Sequence, residues 1–170
     1  MPDTHETILE ALRAAAKSEP PAGELPAVFD AFQVRFKSYT AGRSLACFVP
    51  ADPRFATATG VLQSGVITAA FDIAFSCLAL LEARRLVSPV TMEASFIRPI
   101  AADGHLFEVH ARIKAKSRSA IFLDGRASTT NGKTAATAGA TMAVLKAKPG
   151  GTADSGVDSG EGFDPETGEL

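Results

Sequence analysis

From Gly60 to Leu81 the chain reads GVLQSGVITAAFDIAFSCLALL and carries a single charged side chain, Asp72. An unpaired carboxylate moved out of water costs several kcal/mol, so both the segment and its one acid need a structural reason. The run is too long for a strand and shows no period-two alternation, which predicts a helix from about Ser64 to Arg84. Its apolar residues surround the whole axis, the pattern of a helix buried on nearly all sides. The polar exceptions Thr68, Asp72 and Ser76 recur every four residues and therefore form one narrow seam.

The rest of the sequence must supply the cover for that helix. Residues 4 to 17 predict an amphipathic helix with Thr4 as cap, an apolar face at Ile8, Leu9, Leu12 and Ala15, and a stop at Pro20 and Pro21. A short helix is expected from Pro26 to Phe32 and a strand from Arg43 to Pro50. After Pro89 the period becomes two. PVTMEASFIRP, HLFEVHARIKAK, SAIFLDGRASTT and KTAATAGATMAVLKA read as long strands, and Asn131-Gly132 is a hairpin signal. One buried helix followed by a meander of antiparallel strands implies an α+β domain whose sheet curls around the helix.

Cys47 and Cys77 lie in apolar runs without metal-ligand or disulfide-framework spacing, as expected of buried thiols in a reducing cytoplasm. The charged N-terminus lacks a signal-peptide core, and Val66 to Leu81 is short and polar-interrupted for a bilayer span. The chain is expected to be cytoplasmic, with no membrane or nucleic-acid partner. Net charge is −2, but from Pro149 onward six acids meet no Lys or Arg, which leaves the body at +4. That mild basicity permits a phosphate-bearing ligand. The acidic, Gly- and Ser-rich residues 148–170 read as a disordered tail, and residues 1–33 as a helical extension ahead of a domain at 34–147.

From about Phe32 to Ala147 the chain resembles the hotdog-fold acyl-CoA thioesterases, in particular the phenylacetate-degradation branch. Gly60 matches the loop glycine of that branch, Gly65 the second glycine at the helix start, and Asp72 the helix carboxylate. Phe96-Ile97-Arg98-Pro99 matches the end of the following strand, and Ser117-Arg118-Ser119 and Asn131-Gly132-Lys133 fall in corresponding places. Thr57 replaces the usual Asn, Gln63 the His and Ser64 the first glycine. The resemblance implies a curved antiparallel sheet wrapped around the long helix, an acyl-CoA substrate, no metal or redox cofactor, and homodimers paired into homotetramers.

Thioester hydrolysis needs a group that activates water or attacks the carbonyl, and donors for the oxyanion. Asp72 fits as base or nucleophile, and poor solvation would strengthen it. Ser64 and Gly65 lie where a helix N-terminus offers free N–H groups, and the Gln63 amide can donate as well. Thr57, Gly60 and Ser76 are candidate substrate contacts, and Arg98 and Arg118 candidate contacts to CoA phosphates. Gly65 and Asp72 are separated by about 10 Å along one helix, so a substrate using both needs two chains. A non-catalytic acyl-CoA or hydrophobic-ligand binder is the rival reading. A hydratase is disfavoured, because no His lies between His5 and His105.

Overall fold

The computed structural model of the chain describes residues 4–16 and 26–145. The expected tail and the Pro20-Pro21 stop lie outside them. The elements in order are α1 (Thr4–Ala16), α2 (Val28–Ala31), β1 (Arg35–Thr40), β2 (Ser44–Pro50), a 3-10 turn (Pro53–Phe55), α3 (Ser64–Ala83), β3 (Val87–Phe96), β4 (Leu106–Lys116), β5 (Ala120–Ser128) and β6 (Thr134–Val144).

The six strands form one antiparallel sheet in the order β1-β2-β4-β5-β6-β3, and α3 packs against β2, β3, β4, β5 and β6. Phe71, Phe75 and Leu78 of α3 are fully buried, as are Leu45, Val109, Ile121 and Met142 from the strands around it. The helix comes close at one point. A Cβ built on Gly125 of β5 would stand 2.9 Å from Phe75 Cε1 and 3.0 Å from the His110 carbonyl oxygen, so only glycine lets the aromatic ring rest on the strand. The extension joins the same core, because α1 buries Ile8 and Leu12 in it.

Two sequence expectations need correction. The strands after the helix are not one meander: β4, β5 and β6 are, but β3 crosses to the far edge and pairs with β6. A connection that leaves a helix enclosed by the sheet can return at either edge, and strand periodicity carries no information about which. β1 is an addition that the sequence pattern does not signal: RFKSYT has only Phe36 fully buried. Finally, α3 is not covered all round. Ala69, Asp72, Ser76, Leu80 and Ala83 share one face and are only half-buried in the single chain. The edge strand β3 beside it has no fully buried residue, and Val90, set out by a bulge, is 63% exposed.

Candidate active site

The loop before α3 is tied to its surroundings by backbone hydrogen bonds. The Thr57 N–H donates to the Val61 carbonyl at 2.8 Å and the Gly60 N–H to the Thr57 carbonyl at 2.9 Å. Gly60 has φ +76°, a left-handed value that explains a glycine there. Leu62 donates to the Ile100 carbonyl at 2.8 Å, Ala102 to the Gly60 carbonyl at 3.0 Å, and Gln63 to the Phe55 carbonyl at 3.0 Å. These bonds fix where the helix begins. They were not legible in the sequence, because any residue with a peptide group can make them.

At the helix start, Gln63 occupies the N-cap position with φ −56° and ψ 132°, yet its side chain makes no capping bond. The Val66 N–H is satisfied by the Gln63 carbonyl at 3.0 Å, whereas the Ser64 and Gly65 N–H groups have no acceptor among the described residues. Gln63, Ser64 and Gly65 are all exposed. A Cβ on Gly65 would meet nothing within 4 Å, so packing inside the chain does not require that glycine. The result is an open helix N-terminus with two unpaired donors and a free amide beside them. It suits an oxygen carrying negative charge.

Further down the same face, the Ser76 hydroxyl donates to Asp72 Oδ1 at 3.4 Å, and the Thr68 hydroxyl donates back to the Ser64 carbonyl at 3.1 Å. The polar seam is therefore real. Its acid is half-buried in one chain rather than enclosed. Burial pushes the Cys47 thiol up to about 12, with the Glu108 carboxylate adding to the effect. Burial likewise raises the Cys77 thiol well above its ordinary value, helped by Cys47 and Asp72. Both are neutral buried thiols rather than nucleophiles.

The remaining candidates are spread out. The Thr57 hydroxyl pairs with the Thr59 hydroxyl at 3.0 Å, not with Gln63. Arg98 is exposed just after β3, with one guanidinium N–H donating to the Thr134 carbonyl at 2.6 Å. It stands at the start of β6, near the segment that anchors the helix N-terminus. Arg118 lies in the β4–β5 turn, where the Ser119 carbonyl meets Val144 at the other end of β6. Lys116, two residues earlier, donates to the Glu82 carbonyl at the C-terminal end of α3 at 2.8 Å. The two arginines thus flank opposite ends of a 20-residue helix, about 30 Å long, and one chain cannot bring them to one phosphate group. Among the described residues no group of three or more His, Cys, Asp or Glu side chains could hold a metal ion.

A long helix enclosed by a six-stranded antiparallel sheet, with an open N-terminus and an acid seven residues on, defines a hotdog-fold protein. The thioesterase superfamily matches residues 59–136, which contain Gly60, the helix and its acid. Over those residues the chain is similar to the thioesterase superfamily, which supports a thioester hydrolase. Among similar solved structures is a putative thioesterase from Ralstonia eutropha, a phenylacetic acid degradation-related protein. It is 27% identical, with a TM-score of 0.67, and the match covers 84% of this chain and 100% of that one. The Escherichia coli PaaI protein of the phenylacetic acid degradation operon is 13% identical, with 85% and 97% coverage and a TM-score of 0.69. A Pseudomonas aeruginosa thioesterase, solved with a glutamine changed to alanine, is 24% identical, with 81% and 93% coverage and a TM-score of 0.65. No curated protein matches the sequence.

Proposed function

We propose that the chain hydrolyses an aryl- or medium-chain acyl-CoA to the free acid and CoA. One observation carries the reading: the Ser64 and Gly65 N–H groups stand unpaired and exposed at the start of the helix that presents Asp72. The thioester carbonyl would accept from these groups and from the Gln63 amide. As charge builds on that oxygen, the donors and the positive helix end stabilise it. Asp72 either takes a proton from an attacking water or attacks the carbonyl carbon itself. In both routes the C–S bond breaks, the thiolate leaves as CoA and receives a proton, and water supplies the acid's second oxygen. The hydrolysis balances without a cofactor, and two reduced thiols suit a cytoplasmic setting.

The active unit in this proposal is a homodimer, further paired as a homotetramer. A carbonyl at Gly65 is about 10 Å from its own Asp72, too far for attack directly or through one water. Two α3 helices placed antiparallel across their half-buried faces would set Asp72 of one chain near Gly65 of the other, twice. The same arrangement carries Arg118 toward the partner's helix N-terminus, beside that chain's Arg98, where both could meet CoA phosphates. The unpaired β3 edge is available for the contact.

The rival, a binder without turnover, is favoured by one detail. The Thr57 hydroxyl is engaged with Thr59, so no side chain in the loop orients Gln63. Thiol release from a panel of aryl- and alkyl-CoAs tests the proposal. Release that collapses in Asp72→Asn supports it, whereas tight ligand binding with no thiol released selects the binder.

A further inference from the structure

The end of the molecule where α3 finishes gathers four stretches of chain. The Gly42 N–H donates to Glu82 Oε1 at 2.6 Å, the Arg43 carbonyl accepts from Ile113 at 2.8 Å, and Lys116 donates to the Glu82 carbonyl at 2.8 Å. Val144 donates to the Ser119 carbonyl at 2.9 Å, and Leu145, where the described chain stops, donates to the Leu86 carbonyl at 2.9 Å. These stretches bring together Arg43, Arg84, Arg85, Lys114, Lys116 and Arg118, all exposed except the half-buried Arg85. Their one acid, Glu82, is committed to Tyr39, Gly42 and Lys116. A helix C-terminus favours a cation, and Lys116 already serves it. Among the described residues no carboxylate pairs with Arg43, Arg84, Arg85, Lys114 or Arg118.

Like charges gathered on one surface repel, so such a patch attracts an anion. The sequence supplies one at the same place. The chain leaves the patch at Leu145, and from Gly150 on it carries Asp154, Asp158, Glu161, Asp164, Glu166 and Glu169 with no Lys or Arg. Residues 146–170 would reach about 80 Å fully extended, and a Gly- and Ser-rich coil of about 20 residues spans roughly 25 Å. A tether of that span holds the acids over the patch at about millimolar effective concentration. We propose that the acidic residues 150–170 dock back onto this cationic end of their own chain. The segment has few apolar side chains to bury, so the contact is one of charge and salt releases it. In the two-chain site proposed above, Arg118 faces the partner's helix N-terminus, and acids held there would oppose the phosphates of an incoming acyl-CoA. That consequence rests on the thioesterase reading; the docking does not.

Carbodiimide cross-linking of the full chain, read by mass spectrometry, tests the docking, because it joins Lys to Asp or Glu only where they touch. At low salt, residues 150–170 should couple to Lys114 and Lys116 about threefold or more above Lys17, Lys37 and Lys133. Salt at about 0.5 M should abolish that excess. Arg43→Gln/Arg84→Asn/Arg118→Gln should abolish it as well, with the reporting lysines left in place. Coupling spread evenly over the five lysines, or unmoved by salt and by the variant, overturns the proposal. Coupling found only between chains, in a mixture of isotope-labelled and unlabelled protein, makes a second copy the occupant and overturns it too. The consequence has its own readout. With the six acids changed to their amides in the full chain, KM for an acyl-CoA should fall about threefold at low salt, while KM for the matching pantetheine thioester, which carries no phosphate, should not move. An unchanged KM beside specific coupling keeps the docking and refutes the competition. A wild type that cleaves neither thioester refutes the thioesterase reading, and cross-linking then decides the docking alone.

Discussion

The Ser76 hydroxyl donates to the Asp72 carboxylate at 3.4 Å, one turn apart on the open face of the central helix. The bond is long and tethers one oxygen only, which leaves the other for chemistry. Asp72→Asn should therefore lower kcat by about 10² or more with the fold intact, as removal of a base or nucleophile does. Ser76→Ala should cost far less, about fivefold in kcat, the loss of one ordinary hydrogen bond. Equal turnover by wild type and Asp72→Asn in a thiol-release assay would remove Asp72 from the mechanism.

Gln63 separates catalysis from folding. Its side chain makes no capping bond, so Gln63→Ala should leave Tm unchanged where a true cap would lose about 1 kcal/mol. Activity should fall by roughly 10- to 100-fold if the amide donates to the developing oxyanion. A drop in Tm with unaltered kcat would make it a structural residue.

The two-chain site can be tested by mixing. A subunit carrying Asp72→Asn and one carrying Gly65→Pro, which fills the open space and removes a donor, should each be nearly inactive alone. Co-refolded, they should regain part of the activity, because a heterodimer contains one intact composite site. Sedimentation and dilution assays give the complementary check: a fully active monomer would exclude the arrangement.

Glu82 should set both pH edges of stability. Its side chain, 8% exposed, accepts from the Tyr39 hydroxyl at 2.9 Å and the Gly42 N–H at 2.6 Å and pairs with Lys116 at 3.4 Å. Burial pushes its pKa up, but the hydrogen bonds from Gly42, Tyr39 and Lys116 outweigh burial and leave it lowered. A depressed folded value means the stability is present above the ordinary value of about 4.3 and is lost as pH falls through the lower, folded one. Burial, then Glu82, pushes Tyr39 up to about 12, so its contribution is present below the usual value of about 10 and is lost between there and 12. Glu82→Gln should cost about 1–3 kcal/mol near neutrality and flatten the acid limb of a Tm–pH curve. An unchanged curve would mean that the cluster contributes nothing net.

Gly125→Ala should destabilise the chain by about 1–3 kcal/mol, because its methyl would press on Phe75 Cε1 and the His110 carbonyl. Denaturant unfolding measures this directly, and Phe75→Leu in the same chain should recover part of the loss. A neutral Gly125→Ala would show that the helix can move off β5.

The sequence by itself determined the enclosed helix and the period-two strands, because a run from Gly60 to Leu81 with one charge has few places to go. It also determined the Thr68–Asp72–Ser76 seam, since four-residue spacing follows from helix geometry alone. Motif spacing located Gly60 and Gly65, and the structure supplied a left-handed turn for the first and open space for the second. The tertiary structure alone decided that β3 lies beside β6, that Arg98 and Arg118 flank opposite helix ends, and that Ile100 and Phe55 anchor the loop. Those outcomes depend on strand order and on backbone carbonyls, and a local pattern of side chains encodes neither. The half-open face of α3 belongs with them: apolarity around an axis says that a helix will be covered, and only the packed chain shows which side its own sheet leaves uncovered.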